Sequence, residues 1–251
     1  MKNRHRIRLP QIDFSKESES DVYFVLDSEN GSEKFRFHDY DRIFAIPGLY
    51  EQIFYDRLKC DSPRFLADRL NAVITRAGER ISGLRVLDFG AGNGMMGEAL
   101  ARHGVSRTVG VDISQAARDA LERDRPGIYD DYFVADLSKP DPTVKEELQR
   151  WKFSCLTTVA ALGYNDIPES ALREAFNLVE DGGWIVFNVK ETFLGKSDGD
   201  DFSGLVKRLL AGESLHLHHL ERYQHRISVE GKPLYYYAAI GRKMAPWPEA
   251  D

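Results

Sequence analysis

Glycines at alternate positions follow an apolar run and form the motif of this sequence most suited to holding a ligand. The run covers residues 85–89, and the glycines lead from it into an amphipathic segment. Glycine lets the backbone turn sharply and approach a ligand closely, and a helix that starts there presents unpaired N–H groups. The predicted ligand loop consists of Gly90, Ala91, Gly92, Asn93 and Gly94.

Acidic residues stand at or near the ends of three successive predicted strands. Asp88 lies two residues before the loop, Asp112 closes the second strand and Asp136 closes the third. Because the carboxyl ends of parallel strands meet at one edge of a sheet, these carboxylates are predicted to face one crevice. Asp112 can accept both hydroxyls of a ribose, whereas Asp88 would repel a pyrophosphate and suit an ammonium or sulfonium group. The acids therefore predict a positively charged nucleoside derivative as the ligand.

A dinucleotide site is the alternative that the same loop leaves open. Residues 92–97 also have the spacing G-x-G-x-x-G, and Asp112 follows Gly92 by about 20 residues, as in sites for nicotinamide dinucleotides. The acid at position 88 and the hairpin predicted at the end of the chain count against this alternative.

The segments that must position these residues alternate in type. Short β-branched apolar runs alternate with longer amphipathic stretches from about residue 80 to residue 242, which predicts βα units around a parallel sheet with helices on both faces. Only four residues separate the last two runs, and such a short link joins antiparallel strands. Ser114 is predicted to cap a helix, and Gly182-Gly183 is predicted to end the helix that starts at Pro168. The predicted strands are 85–89, 108–112, 132–136, 153–159, 184–189, 222–229 and 234–240.

The chain before residue 80 differs in pattern, and we predict an N-terminal α/β extension over 1–79 and a separate domain over 80–251. A small hairpin is predicted around Asn30-Gly31, and helices are predicted over 47–58 and 63–77. A glycine- and aspartate-rich loop at 195–201, followed by a helix that ends near Leu210, is predicted late in the chain.

Composition excludes several classes of protein. With 251 residues, 42% of them hydrophobic, the chain has enough apolar material for one large core. A net charge of −6 disfavours a nonspecific nucleic-acid binder. No apolar run approaches the roughly 18 to 20 residues of a membrane span, and we expect a cytoplasmic protein. Cys60 and Cys155 are predicted to be reduced, and no metal is predicted because His216, His218 and His219 lack accompanying carboxylates or cysteines.

Several stretches resemble the motifs of one known family. Residues 88–94 (DFGAGNG) look like the first motif of the class I S-adenosylmethionine-dependent methyltransferases, and residues 111–114 and 135–137 look like the two motifs that follow. Residues 178–187 are similar to the turn that leads into the family's fifth strand. The resemblance covers about residues 80–242, and the stretch from the first motif to Ser114 is closest in style to the small-molecule methyltransferase-like proteins related to the Williams–Beuren region methyltransferase.

The resemblance implies a Rossmann-like sheet of seven mostly parallel strands, in which the final antiparallel hairpin supplies the sixth and seventh strands. It implies S-adenosyl-L-methionine as the cofactor. Asp88 and the loop 90–94 would hold the methionine moiety, and Asp112 would bind the ribose hydroxyls.

The same resemblance implies roles around the adenine and the sulfonium. Ile113 would pack on the adenine face, while Asp136 and the backbone of Leu137 would read the adenine edge. Ala160, at the exit of the fourth strand, would lie close to the sulfonium. Residues 159–162 are apolar there, which counts against a nucleobase or glutamine acceptor.

The expected reaction is methyl transfer to a small-molecule acceptor by in-line displacement, which requires alignment and exclusion of water. A base within hydrogen-bond reach would assist some acceptors, and His38 and Tyr50 are the candidates from the aromatic N-terminal stretch. The N-terminal extension and residues 204–220 are predicted to form the acceptor pocket. A nicotinamide-dependent oxidoreductase and a non-catalytic S-adenosylmethionine-binding protein remain as alternatives, and the oligomeric state is left open.

Overall fold

The computed structural model describes residues 4–10, 22–29, 31–162, 167–192, 207, 209 and 212–247. The strands are β1 (Arg6–Arg8), β2 (Tyr23–Ser28), β3 (Gly31–Arg36), β4 (Val86–Phe89), β5 (Thr108–Asp112), β6 (Asp131–Val134), β7 (Phe153–Thr158), β8 (Val179–Lys190), β9 (Leu215–Ile227) and β10 (Pro233–Lys243). The α-helices are α1 (Tyr40–Ala45), α2 (Leu49–Glu51), α3 (Ser62–Arg76), α4 (Met95–Ala101), α5 (Gln115–Asp124), α6 (Pro142–Arg150) and α7 (Glu169–Asn177). A π-helical turn, Gln52–Arg57, continues α2, and a 3₁₀ turn, Ile81–Gly83, precedes β4.

A seven-stranded sheet forms the centre of the fold, in the order β6-β5-β4-β7-β8-β10-β9. The first five of these strands are parallel, and β10 runs antiparallel to both β8 and β9. The predicted fold class, with its mostly parallel sheet and terminal antiparallel hairpin, is therefore confirmed. Chain order reverses between β4 and β7, and in open α/β sheets the ligand crevice lies at the carboxyl ends of the strands beside such a reversal.

The core lies on both faces of this sheet because successive residues of a strand point to opposite sides. Leu87 and Leu156 pack in one cluster with α7, whereas Val86 and Cys155 pack in the other with α3 and α4. The hairpin follows the same rule, since Tyr237 packs with the first cluster and Tyr236 with the second. Cys155 and Cys60 are both buried free thiols.

The N-terminal part contains a separate three-stranded sheet in the order β1-β2-β3. Strands β2 and β3 form the predicted hairpin, while β1 adds a strand that the sequence reasoning did not find; Asn30 itself lies outside the described residues. The predicted helix over 47–58 is α2 and its π-helical continuation. The predicted helix over 63–77 is α3.

Two boundaries in the last third differ from prediction. The prediction that Gly182-Gly183 ends a helix is wrong: α7 ends at Asn177, and both glycines lie inside β8. Gly182 has a φ of 82°, and the pairing of β7 with β8 shifts register there, so these glycines form an irregularity that bends the strand. Strand β9 starts at Leu215 instead of residue 222, which places His216, His218 and His219 on a strand. The predicted loop 195–201 and most of the helix that follows lie outside the described residues.

No helix in the described ranges is long and apolar enough to cross a membrane. Among the residues that the structure describes, no group of three or more His, Cys, Asp or Glu side chains is arranged to hold a metal ion.

Replacing Gly183 with alanine tests the irregularity in β8. An added Cβ would lie 2.4 Å from Val179 Cγ1, 2.8 Å from the Glu180 carbonyl oxygen and 3.0 Å from the Ser154 carbonyl oxygen. Two of these atoms are backbone, so relief requires a shift of the β7–β8 pairing. We expect Gly183→Ala to lower the free energy of unfolding by about 1 to 3 kcal/mol in urea denaturation.

Gly83→Ala is the matched control, because an added Cβ there meets no heavy atom within 4 Å. Its effect should stay within about 0.5 kcal/mol. Equal stabilities of the two variants would contradict the close packing described for Gly183.

Candidate active site

The predicted ligand loop joins the end of β4 to the start of α4 at the carboxyl edge of the sheet. Gly90, Gly92 and Gly94 have φ angles of 74°, 52° and 85°, in the left-handed region that favours glycine. An added Cβ would also lie 2.7 Å from Ala161 Cβ at Gly90 and 2.6 Å from Leu121 Cδ1 at Gly94. Both the backbone angles and the packing therefore require glycine in this loop.

Asp112 connects this loop to the end of β5. Its Oδ2 accepts a hydrogen bond of 2.8 Å from the Gly92 N–H, and its Oδ1 accepts one of 2.9 Å from the Ser114 N–H. Ser114 caps α5 as predicted, since its Oγ accepts from the Ala117 N–H. Burial raises the pKa of Asp112 and outweighs the backbone hydrogen bonds that lower it. A carboxylate has about four acceptor positions, so Asp112 can hold the loop and still accept hydrogen bonds from a ligand.

Asp88 occupies a different environment. Only 1% of it is exposed, and its carboxylate accepts hydrogen bonds from the Tyr129 hydroxyl at 2.5 Å and from Thr157 Oγ1 at 2.7 Å. Thr157 is its partner on the neighbouring strand β7. Burial raises the pKa of Asp88 to about 6. Asp88 therefore ties together the two strands between which the sheet order reverses, and its predicted contact with the methionine moiety stays a prediction.

The residues predicted to bind adenine lie at the ends of β5 and β6. Ile113 is 72% exposed, which is unusual for a large apolar side chain. Asp136 is exposed and accepts a 2.8 Å hydrogen bond from the Ser138 N–H, and hydrogen bonding by Ser138 lowers its pKa. The Leu137 side chain is buried in the core. An exposed apolar surface and an exposed acid thus lie on neighbouring strand ends, and only the backbone of Leu137 is suited to a polar contact.

The N-terminal helices contact the loop and the end of β5. Phe44 Cζ would lie 3.4 Å from a Cβ added at Gly92, and the Ser114 hydroxyl bonds Asp41 at 2.5 Å. Arg123 of α5 donates two hydrogen bonds of 3.2 Å to the Phe44 carbonyl oxygen. We call residues 40–57, which comprise α1, α2 and the π-helical turn, the lid.

Glu51 of the lid reaches the loop directly. Its Oε1 accepts a 2.8 Å hydrogen bond from Asn93 Nδ2 and pairs at 2.8 Å with Arg125, which follows α5. Arg125 also pairs with Glu98 at 2.8 Å and donates to the Asn93 carbonyl oxygen. Glu51 belongs to the N-terminal stretch that the sequence predicts to close over a ligand, whereas Arg125 was not predicted as a site residue.

The two candidate bases stand in different positions. Tyr50 packs in the lid against Phe44, with ring centres 4.6 Å apart, and against Phe54 at 4.8 Å. Its hydroxyl makes no hydrogen bond to any residue that the structure describes. Burial raises the pKa of Tyr50 well above its usual value, with a further contribution from the negative charge of Asp112. Tyr50 therefore keeps its proton at neutral pH, whereas His38 is exposed, with its ring centre 5.9 Å from that of Tyr40.

The exit of β7 has an uncommon backbone conformation. Ala160 has a φ of 58°, in the left-handed region, and its N–H donates a 2.7 Å hydrogen bond to Asn188 Oδ1 in β8. Ala160 is exposed, while its apolar neighbours Val159 and Leu162 are buried. The turn thus presents a backbone segment beside the glycine loop.

Comparison with known proteins identifies the family to which this fold belongs. Residues 61–229 match the sequence model of the methyltransferase domain family. The chain belongs to the methyltransferase domain family. This methyltransferase is of class I, and its cofactor is S-adenosyl-L-methionine, so the predictions of family and cofactor are confirmed. The matched residues include α3, while the predicted division of the chain at residue 80 stays a prediction, as does the likeness to the Williams–Beuren type.

Curated relatives are similar over part of the chain. A ubiquinone biosynthesis O-methyltransferase from Alkalilimnicola ehrlichii is 31% identical over 113 residues, which cover 43% of this chain and 42% of that protein. A protein of the same name from Thiobacillus denitrificans is 32% identical over 121 residues, which cover 48% of this chain and 49% of that one. The chain spans about half the length of the curated relatives it matches.

Solved structures share the fold at low identity. An S-adenosylmethionine-dependent methyltransferase from Anabaena variabilis aligns with a TM-score of 0.53 and 10% identity, covering 81% of this chain and 93% of that one. The magnesium protoporphyrin IX methyltransferase of Synechocystis, solved with bound S-adenosylmethionine, aligns with a TM-score of 0.50 and 14% identity, covering 72% of this chain and 79% of that one.

Unpaired buried atoms at the loop fit this cofactor. Glu51 Oε2 and Asn93 Oδ1 are buried and have no hydrogen-bond partner within the described part of the chain. Both are acceptors, and they match the N–H groups of an ammonium such as that of a methionine moiety. An unsatisfied buried acceptor costs about 1 to 3 kcal/mol, so a donor placed there would remove an existing penalty.

The raised pKa of Asp88 predicts a specific dependence of stability on pH. The carboxyl group has a pKa of about 6 in the folded protein against an ordinary value of 3.8. Between about pH 4 and pH 6 the folded state therefore binds more protons than the unfolded state, and stability falls as the pH rises. The free energy of unfolding of the wild type, minus that of Asp88→Asn, should fall by about 2 to 3 kcal/mol from about pH 4 to pH 7.

Denaturant unfolding at a series of pH values measures this difference. Asp131→Asn, which alters an exposed acid at the start of β6, serves as the control and should leave the difference flat. A flat curve for Asp88→Asn as well would mean that Asp88 is ionised throughout this range.

Proposed function

We propose that this methyltransferase transfers a methyl group to a hydroxyl of a small molecule. The observation that carries the proposal is the carboxylate of Asp112, which holds the Gly92 and Ser114 N–H groups in the crevice where the sheet order reverses. The curated relatives named above are O-methyltransferases of a small-molecule pathway, which supports the choice of acceptor.

The cofactor roles proposed here follow the positions of the side chains. Asp112 accepts hydrogen bonds from the ribose hydroxyls, and the exposed Ile113 packs on the adenine face. Asp136 and the Leu137 backbone contact the adenine edge. Glu51 and Asn93 accept from the ammonium group through the oxygens that lack partners.

S-adenosylmethionine supplies a methyl group on a sulfonium, a leaving group that is already activated. With the cofactor bound, the acceptor oxygen would form a bond to the methyl carbon as the carbon–sulfur bond broke, S-adenosylhomocysteine would leave, and the hydroxyl proton would pass to a base, for which His38 is the candidate. The chain's own task is to align the acceptor and keep water away from the cofactor. The aromatic side chains of the lid are suited to that task, and residues 1–79, which contain the lid, are proposed to act as a closing extension of the domain.

Tyr50 is proposed to orient the acceptor as a hydrogen-bond donor. Its hydroxyl keeps its proton because burial raises its pKa, and it has no partner among the described residues. A group that keeps its proton does not act as a base. We therefore propose that Tyr50 donates a hydrogen bond instead of acting as the base expected from the sequence. His38, which is exposed on the chain before α1, remains the candidate base.

Turnover is the direct test of the proposal. Purified protein is incubated with S-adenosylmethionine and panels of small hydroxylated aromatic compounds, amines and thiols, and S-adenosylhomocysteine is measured. Product formation with hydroxylated compounds alone is the expected result. Formation with amines or thiols alone would overturn the hydroxyl acceptor, while tight cofactor binding without any product would indicate a non-catalytic protein. A thermal shift with nicotinamide dinucleotides and none with S-adenosylhomocysteine would favour the oxidoreductase.

Removal of the Asp112 carboxylate should weaken cofactor binding. Asp112→Ala takes away a charged partner from two hydroxyls, so affinity for S-adenosylhomocysteine should fall by about 1 to 3 kcal/mol in isothermal titration calorimetry. Asp131→Ala is the matched control, since that exposed acid starts β6 at the opposite end of the strand. Unchanged affinity in Asp112→Ala would place the ribose elsewhere.

Loss of the Tyr50 hydroxyl should affect turnover more than cofactor binding. We expect Tyr50→Phe to lower kcat by about tenfold, the equivalent of one hydrogen bond, with S-adenosylhomocysteine affinity within about twofold of the wild type. Tyr23→Phe in β2 alters a phenol of the separate small sheet and should leave both quantities unchanged. Full activity in Tyr50→Phe would remove Tyr50 from the reaction.

A further inference from the structure

A chain of buried polar side chains lies next to the exit of β7 and takes no part in the roles proposed above. Asn188 of β8 and Tyr223 of β9 hydrogen bond at 2.7 Å, and the Tyr223 hydroxyl lies 2.6 Å from Ser62 Oγ at the start of α3. Ser62 Oγ lies 2.6 Å from His225 Nδ1. All four residues are buried.

The direction of the hydrogen bonds is fixed at the Asn188 end, because the Ala160 N–H can only donate; Asn188 Oδ1 therefore accepts, and its Nδ2 donates to Tyr223. Burial lowers the pKa of His225 to about 3, so its ring is neutral, and in the tautomer with the proton on Nε2 its Nδ1 accepts a hydrogen bond from the Ser62 hydroxyl. The Ser62 oxygen then accepts from the Tyr223 hydroxyl, and the Tyr223 oxygen accepts from Asn188 Nδ2. This order turns Asn188 Oδ1 toward the Ala160 N–H, which donates to it at 2.7 Å.

The Ala160 N–H, which Asn188 holds, belongs to a strained turn. A non-glycine residue with a φ of 58° is uncommon and persists where its surroundings hold it. The next residue, Ala161, packs against the glycine loop, since a Cβ added at Gly90 would lie 2.7 Å from Ala161 Cβ. The turn thus follows β7 and lies against the loop that follows β4, on the two sides of the point where the sheet order reverses.

We propose that Asn188 is a positioning residue for methyl transfer, which holds the turn at Ala160 in the conformation that aligns the acceptor with the cofactor. The inference rests on the proposed function. Asn188 acts through Ala160 and through the packing of Ala161 on the loop. Tyr223, Ser62 and His225 orient its amide, and a displacement of the turn by about 1 Å is enough to lower the rate by about 100-fold.

The first experiment needs no cofactor. Amide hydrogen exchange of Ala160 is measured by NMR in the wild type, in Asn188→Ala and in Thr108→Ala, a control that removes a buried hydroxyl bonded to the Ile128 carbonyl oxygen at the start of β5. We expect exchange to rise by about tenfold or more in Asn188→Ala, the equivalent of one lost hydrogen bond. Thr108→Ala should leave it within about threefold of the wild type. Equal exchange in the wild type and Asn188→Ala would overturn the proposal.

The second experiment measures kcat, KM and S-adenosylhomocysteine affinity for the same variants, together with their stability in urea. We expect Asn188→Ala to lower kcat by about 10-fold to 100-fold with cofactor affinity within about threefold. Thr108→Ala should keep its kcat even where it loses similar stability. An equal loss of kcat in both variants would reduce Asn188 to a structural role and overturn the proposal.

Rescue separates positioning from general destabilisation. Glycine adopts the left-handed region without support, so Ala160→Gly in the Asn188→Ala background should restore part of kcat without restoring stability. No recovery would count against the proposal. Absence of turnover in the wild type with every acceptor panel would overturn the proposed function, and the exchange measurement would still decide whether Asn188 holds the turn.

Discussion

The two hydrogen bonds that Asp112 accepts connect the parts of the site that must act together. One comes from the middle of the glycine loop and the other from the start of α5. A single carboxylate thereby fixes the position of the loop after β4 relative to the end of β5. The two hydrogen bonds also offset part of the free-energy cost of burying Asp112, because charge-assisted bonds from backbone N–H groups stabilise its ionised form. The geometry of the crevice depends on this bridge because the three left-handed glycines have no side chains of their own, and the Asn93 side chain braces the loop against the lid rather than against β5.

The acids that look equivalent in the sequence have three different environments. Asp88 is buried and bonded on both sides by Tyr129 and Thr157, Asp112 is partly buried at the loop, and Asp136 is exposed with a lowered pKa. Burial raises the pKa of Asp88, whereas hydrogen bonding to Ser138 lowers the pKa of Asp136. Asp88 therefore serves the sheet, whereas Asp112 and Asp136 retain acceptor capacity toward a ligand. A carboxyl group with a pKa of about 6 is still mostly ionised at neutral pH, so Asp88 keeps a negative charge behind the loop.

Local features of the site could be predicted from the sequence, and long-range pairs could not. The glycines, the Ser114 cap and the antiparallel hairpin follow from residue type and spacing within a few positions. Tyr129 and Asp88 are 41 residues apart, and Thr157 and Asp88 are 69 apart, so no local periodicity connects them. In the sequence, Asn188 is simply one residue of an apolar strand. Its hydrogen bond with the Ala160 N–H forms only when the fold brings Ala160 beside it. The wrong prediction for Gly182-Gly183 has the same cause. A glycine pair can end a helix or bend a strand, and the pairing of β8 with β7, which decides between the two, is a long-range feature.

The lid illustrates how an interaction that adds little stability can still select a ligand. Glu51 and Arg125 form a mostly buried ion pair, with 13% and 11% of their side chains exposed, and the cost of removing two charges from water offsets much of the attraction between them. The pair does orient the carboxylate: Arg125 and Asn93 both bond Glu51 Oε1, and Oε2 has no hydrogen-bond partner among the residues that the structure describes. Asn93 Oδ1 likewise has no hydrogen-bond partner in the described part of the chain. A fold that keeps two unpaired acceptors together favours a cation with several N–H groups over a neutral or anionic ligand, and it requires the lid, the loop and the end of α5 to be in place at the same time.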